Sequence, residues 1–96
     1  MARVVVTPSA NDDLLELILT HSLPASTIER FIRSIEPLRG FPELGAQLHG
    51  RWAAFRFILG PWRWMIIVYH HDPESDVVAI VTIQDGRSLG APRTAV

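Results

Sequence analysis

The chain has 96 residues, 48% hydrophobic and 20% charged, with a formal net charge of −1. That length fits a single domain, and the near-neutral balance argues against strong nonspecific binding to nucleic acid. Cysteine is absent, which excludes disulfide staples and thiolate metal sites and fits a reducing compartment.

Met1 to Pro8 has too short an apolar run for a signal peptide. No stretch reaches the roughly 18–20 apolar residues of a membrane span, so a soluble cytoplasmic protein with no membrane partner is expected. Arg3 to Thr7 is β-branched and predicts a strand. Thr7-Pro8 reads as a helix start, with threonine as the cap and proline in the first turn. Ala10, Leu14, Leu17, Ile18 and His21 then recur on one helical face, and the helix should stop near Ser22, ahead of Pro24. A second helix is predicted from Ser26-Thr27-Ile28-Glu29, with Ile28, Phe31, Ile32 and Ile35 as its apolar stripe and Pro37, Gly40 and Pro42 ending it. The two form a helical hairpin whose stripe needs apolar cover.

That cover lies downstream. Residues 41–50 read as a loop, and 51–59, 62–70 and 76–84 as three antiparallel strands joined at Gly60-Pro61 and at His71–Ser75. The fold class is therefore α+β: an N-terminal strand, a helical hairpin, then a three-stranded antiparallel meander with the helices on one sheet face. Residues 1–88 form the domain and 89–96 a C-terminal tail.

Charge is unevenly distributed. Residues 1–43 sum to −2, residues 44–71 to +3 through Arg51, Arg56 and Arg63, residues 72–76 to −3, and residues 77–96 to +1. Every formal cation is arginine, whose planar fork suits phosphate or carboxylate; a GC-rich genome would produce the same bias. An even-numbered turn at Gly60-Pro61 pairs Leu59 with Trp62, Ile58 with Arg63 and Arg56 with Met65. One face then holds Phe55, Phe57, Leu59, Trp62, Trp64, Ile66 and Val68, and is expected to lie under the helices with Val77, Ala79, Val81 and Ile83. The other gathers Arg56, Arg63, Tyr69, Thr82, Gln84 and Arg87. An odd turn would break that cluster. Arginines on an open sheet face are commonly just solvated cations, but Ile58, Met65 and Ile67 beside them would leave an apolar patch in water, and such patches mark contact sites.

Other features have plain readings. His70 and His71 point to opposite faces and do not chelate one ion together; His21 answers the helix dipole; Trp62 and Trp64 read as core, Trp52 as a contact residue. His49 is a candidate proton shuttle near Arg56. No metal site, cofactor motif or phosphate loop is evident.

Four stretches carry a family resemblance: Pro8 to Leu17; Pro42-Glu43-Leu44-Gly45 with Leu48-His49-Gly50; Phe55 to Trp64 running on to Tyr69; and Val81-Thr82-Ile83-Gln84-Asp85-Gly86-Arg87. In this order and spacing, over roughly residues 3–88, the chain resembles the RelE/ParE superfamily of toxins from type II toxin–antitoxin systems. The resemblance implies growth inhibition, a role in plasmid stabilisation, and a cognate antitoxin that wraps the toxin. It also implies a target: ribosome-bound mRNA, which RelE-like members cut, or DNA gyrase, which ParE-like members poison. In the RNA-cutting branch, basic side chains stabilise charge at the scissile phosphate. Arg63 and Arg87 match such positions, with Arg56 as a third. The tyrosine those members place shortly after the second arginine is missing from Arg87-Ser88-Leu89-Gly90-Ala91-Pro92-Arg93, as are the accompanying lysines. A cleaving version would then need His49, His70 or Tyr69 as acid or base. The alternative is a non-toxic member that only binds an antitoxin.

Overall fold

The computed structural model describes residues 1–87; the expected tail at 89–96 lies outside them. Strand β1 (Arg3–Val6) is the β-branched run, and Thr7 stops it by capping the next element. The Thr7 hydroxyl accepts from the Ala10 amide at 3.3 Å and donates to the Ile80 carbonyl at 2.7 Å, so one side chain starts the helix and ties it to the sheet. Helix α1 (Pro8–Thr20) buries Ala10 and Leu14 and half-buries Leu17 and Ile18, the face its spacing predicts. Helix α2 (Thr27–Ile35) follows a turn in which the Thr27 hydroxyl donates to the Pro24 carbonyl at 2.6 Å. A 3-10 turn over Glu36–Arg39 extends it and buries Leu38.

The remaining strands are β2 (Ala46–Gln47), β3 (Arg56–Leu59), β4 (Met65–Asp72) and β5 (Val77–Asp85). They form one sheet in the order β1-β5-β4-β3-β2, with β1 parallel to β5 and the other neighbours antiparallel. The α+β class, the helical hairpin and the β3-β4-β5 meander are those expected from the sequence.

Details of the sheet differ, and each difference has a cause. Residues 51–55 do not extend β3: Gly50, at φ +65°, opens a 3-10 turn over Gly50–Trp52. Part of the expected loop at 41–50 pairs instead as β2. Leu59 pairs with Ile66 rather than Trp62, so Trp62, Arg63 and Trp64 lie in the β3–β4 connection and not in a strand. The parity of the pairing is nevertheless the even one, because Arg56 lies opposite Tyr69 and Ile58 opposite Ile67.

The face assignment is reversed. Met65, Ile67 and Tyr69 are fully buried with Ala10, Leu14, Phe31, Ile35 and Leu38, so the helices cover the face that carries Arg56. Leu59 is 47% exposed on the other side. With both tryptophans removed to the connection, the two faces of β3 and β4 are almost equally apolar. The single arginine decides nothing, because it sits at the rim and reaches backbone carbonyls there. Strand β5 uses both parities: Val68 pairs with Thr82 but Tyr69 with Ile80, leaving Val81 as a bulge. Val78 and Ile80 face the core before it and Ile83 after it. In α2, Phe31 and Ile35 are buried, but Ile28 and Ile32 are 45% and 50% exposed, so only half of the expected stripe is used.

Candidate functional site

At one end of the sheet, the C-terminus of α1, the β3–β4 connection and the end of β5 converge. Helix α1 ends at Thr20, His21 is its C-cap, and Ser22 turns the chain at φ +49°. The His21 ring lies against the sheet end, with Nε2 2.9 Å from Asp85 Oδ2 and Nδ1 2.9 Å from the Thr20 hydroxyl. Asp85 closes β5 opposite Met65, the first residue of β4. Arg87 then folds back on it. Its Nε donates to Asp85 Oδ1 and its Nη2 to Oδ2, both at 2.9 Å, while its backbone amide donates to Oδ1 at 2.9 Å.

Aromatic rings support this cluster. His21 stacks on Trp64 with centroids 4.7 Å apart and planes 15° off parallel, and the Arg87 guanidinium lies 5.0 Å from the Trp64 ring centre. Trp62 stacks on Trp64 at 6.2 Å, and Arg30 of α2 approaches Trp62 at 5.8 Å. The Gly86 amide donates to the Trp64 carbonyl at 2.6 Å, pinning the connection to the end of β5. Cation–ring contacts of this kind fix an arginine without consuming its donors.

The electrostatics follow from the fork. The Arg87 guanidinium holds the Asp85 carboxyl well below the usual carboxylate range; burial opposes this, and the Arg87 amide and His21 add to it. Reciprocally, Asp85 raises the Arg87 guanidinium above its ordinary value. The Arg87 side chain is 64% exposed although two of its N–H groups are engaged. A guanidinium carries five N–H donors, so three have no partner among the described residues and could meet an incoming oxyanion. Beside the cluster, α1 and β5 leave a cleft of about 250 Å³ lined by Asp13, Glu16, His21 and Asp85. Among the described residues, no group of three or more histidines and carboxylates is placed to hold a metal ion.

The structure brings two of the sequence candidates to this end. Arg87 is one. Arg63 is exposed in the same β3–β4 connection as Trp62 and Trp64, and it forms no ion pair among the described residues. Arg56 does not join them: it pairs with Tyr69, four residues along β4 from Met65, or about 13 Å at roughly 3.3 Å per residue. There it is half-buried, its Nη1 donating to the Gly45 carbonyl at 2.8 Å and to that of Glu43 at 3.4 Å. Tyr69 is fully buried, and its hydroxyl accepts from the Gly45 amide at 2.8 Å. Burial is the main reason its phenol is pushed above its ordinary value. His49 is exposed where the chain enters the 3-10 turn, away from the Arg87 cluster along the chain and the sheet. His70 is exposed on the outer face against Phe55, with ring centroids 5.9 Å apart.

The sequence gives His21 a reading as a dipole partner and Trp64 one as a core residue, and names Asp85 only within a family-like stretch. Their meeting is a tertiary fact. The one signal in the sequence was the spacing Asp85-Gly86-Arg87, which lets an arginine fold back on a carboxylate two residues earlier.

No protein-family model and no curated protein matches this sequence. Solved structures do. A chain of the toxin–antitoxin complex RelBE2 of Mycobacterium tuberculosis aligns with a TM-score of 0.67 and 21% identity, over 88% of this chain and 96% of that one. The fold is RelE/ParE-like. Two conserved hypothetical proteins of Helicobacter pylori share this RelE/ParE-like fold. HP0892 aligns at TM-score 0.58 and 11% identity over 88% of this chain and 94% of its own. HP0894 aligns at 0.56 and 19% over 93% and 99%.

Proposed function

We propose that this chain is the toxin of a toxin–antitoxin pair, and that Arg87, with Arg63 of the β3–β4 connection at the same end of the sheet, is its contact to an anionic group of the target. The observation that carries this is the Arg87 fork: a guanidinium fixed by a carboxylate and a tryptophan, its side chain exposed and its other donors without a partner among the described residues. A cation held in advance loses less entropy on binding than a free surface arginine. The RelE/ParE-like fold supports the same reading, as does exposed apolar surface on the helices. Leu15 and Leu19 of α1 are 43% and 80% exposed, alongside Ile28 and Ile32 of α2, surface that a wrapping antitoxin would cover.

Between the two targets, the side chains favour an action on DNA gyrase. Cleavage of mRNA needs an acid or base beside the clamped phosphate. The Tyr69 hydroxyl is buried and engaged, His49 lies away from the Arg87 cluster, His70 is on the outer face against Phe55, and residues 88–96 contain no tyrosine, histidine or acid.

Inducible expression of the chain without a partner tests the reading. Growth arrest with intact mRNA and accumulating double-strand DNA breaks is expected, with rescue by the neighbouring small reading frame. Cleaved mRNA during translation would move the target to the ribosome. Unimpaired growth, with tight binding to that neighbour, would leave only an antitoxin-binding module.

A further inference from the structure

We propose that Arg87 and His21 form one oxyanion subsite whose affinity is set by the protonation of the His21 imidazole. The inference rests on the reading of Arg87 as an anion contact and adds its regulation. Asp85 is the shared element. Its Oδ2 takes both the Arg87 Nη2 and the His21 Nε2 at 2.9 Å, so the imidazole and the guanidinium meet on one oxygen. An ionised carboxylate only accepts, so neutral His21 carries its proton on Nε2 and accepts the Thr20 hydroxyl at Nδ1.

Protonation therefore needs no rearrangement. Nδ1 gains a proton, the Thr20 hydroxyl rotates to accept it, and the contact to Asp85 stays. Only the charge changes. With His21 neutral, Asp85 and Arg87 cancel; with His21 charged, the cluster is net positive beside the free edge of Arg87. The other groups facing the imidazole oppose or tune this. Asp13 and Glu16 of α1 line the same cleft, Trp64 lies against the ring face, and Arg30 of α2 stands beyond Trp62.

Sulfate is the appropriate probe, because it stays doubly charged between pH 5.5 and pH 8 while phosphate does not. Calorimetric titration of the whole chain should show sulfate binding about five- to tenfold tighter at pH 5.5 than at pH 8. That is the order expected for one added charge several ångströms from a dianion in a largely aqueous setting. Proton uptake on binding, read from buffers of different ionisation enthalpy at pH 6.5, should accompany it, since linkage is reciprocal. His21→Gln keeps a donor for Asp85 but removes the ionisable ring, and should flatten the pH profile. Arg87→Gln should abolish binding. Equal affinity at both pH values, lost in Arg87→Gln, would overturn the coupling and leave Arg87 as an anion contact. A pH profile that persists in His21→Gln would overturn the assignment to this histidine. No sulfate binding at either pH, or binding that survives Arg87→Gln, would overturn the subsite itself.

Discussion

Arg56 and Arg87 lie on the same small sheet, yet their surroundings give them opposite uses. Arg56 is half-buried and spends its donors on the carbonyls of Gly45 and Glu43, lashing the chain before β2 to the sheet edge. Arg87 is mostly exposed and held by a carboxylate, which fixes its direction while leaving donors free. A backbone carbonyl beside an arginine makes a strap; a carboxylate on an exposed arginine makes a presented cation. The type of acceptor separates the two roles better than the position on the sheet does.

The Arg56 end should be costly to disturb. Gly45 has no room for a side chain: a Cβ there would lie 2.5 Å from the Phe57 carbonyl oxygen and 2.8 Å from the Tyr69 ring and hydroxyl. Two of those neighbours are a paired strand and a buried ring, and neither yields easily. Gly45→Ala should therefore lose about 3 kcal/mol or more in denaturant unfolding, in the range of severe backbone and packing changes. An unchanged midpoint would mean that the strap is loose and the contrast with Arg87 overstated. Tyr69→Phe comes next. It keeps the ring but leaves the Gly45 amide without its acceptor, at about 1–3 kcal/mol.

The strap and the presented cation were unequally legible in the sequence. Thr7-Pro8, the stripe of α1 and the meander all follow from local periodicity and turn chemistry, so the order of neighbouring residues predicts them. The even register of β3 and β4 also followed, since parity survives a turn that lengthens by an even number of residues. What failed was the choice of buried face. It leaned on Trp62 and Trp64, which belong to a connection, and it assumed that an arginine marks the wet side. The bulge at Val81 defeated any single alternation in β5 as well. His21 and Asp85 meet across 64 residues of sequence, and no local pattern records such a contact.

Acid should separate the two ends further. The carboxyl of Asp85 is held low in the folded chain, chiefly by Arg87, and sits at its ordinary aspartate value when the chain unfolds. Its contribution is thus complete above about pH 4 and drains away as pH falls below that value toward the folded one. Comparing thermal midpoints of the parent and Asp85→Asn isolates it from the other carboxylates. The parent should be the more stable at pH 7, and the gap should close as pH drops from 4 to 2. A gap that is constant with pH would mean the fork gives Asp85 no advantage in the folded state.

The smallest effect on stability is expected at Arg87, and there the contrast is sharpest. The side chain lies over the partly buried Trp64 and its fork lies at the surface, where an ion pair with solvent access contributes little. Arg87→Gln should lower the thermal midpoint at pH 7 no more than Asp85→Asn does, while abolishing growth arrest on induction. Arg56→Gln should behave in the reverse manner, lowering the midpoint and keeping whatever arrest the remaining folded protein can produce. Antitoxin binding, measured on both variants, keeps folding and target contact apart, because a folded Arg87→Gln protein should still be wrapped through its exposed helical surface. If Arg87→Gln arrests growth as the parent does, the presented guanidinium is only a surface ion pair, and the anion contact must be sought at Arg63 alone.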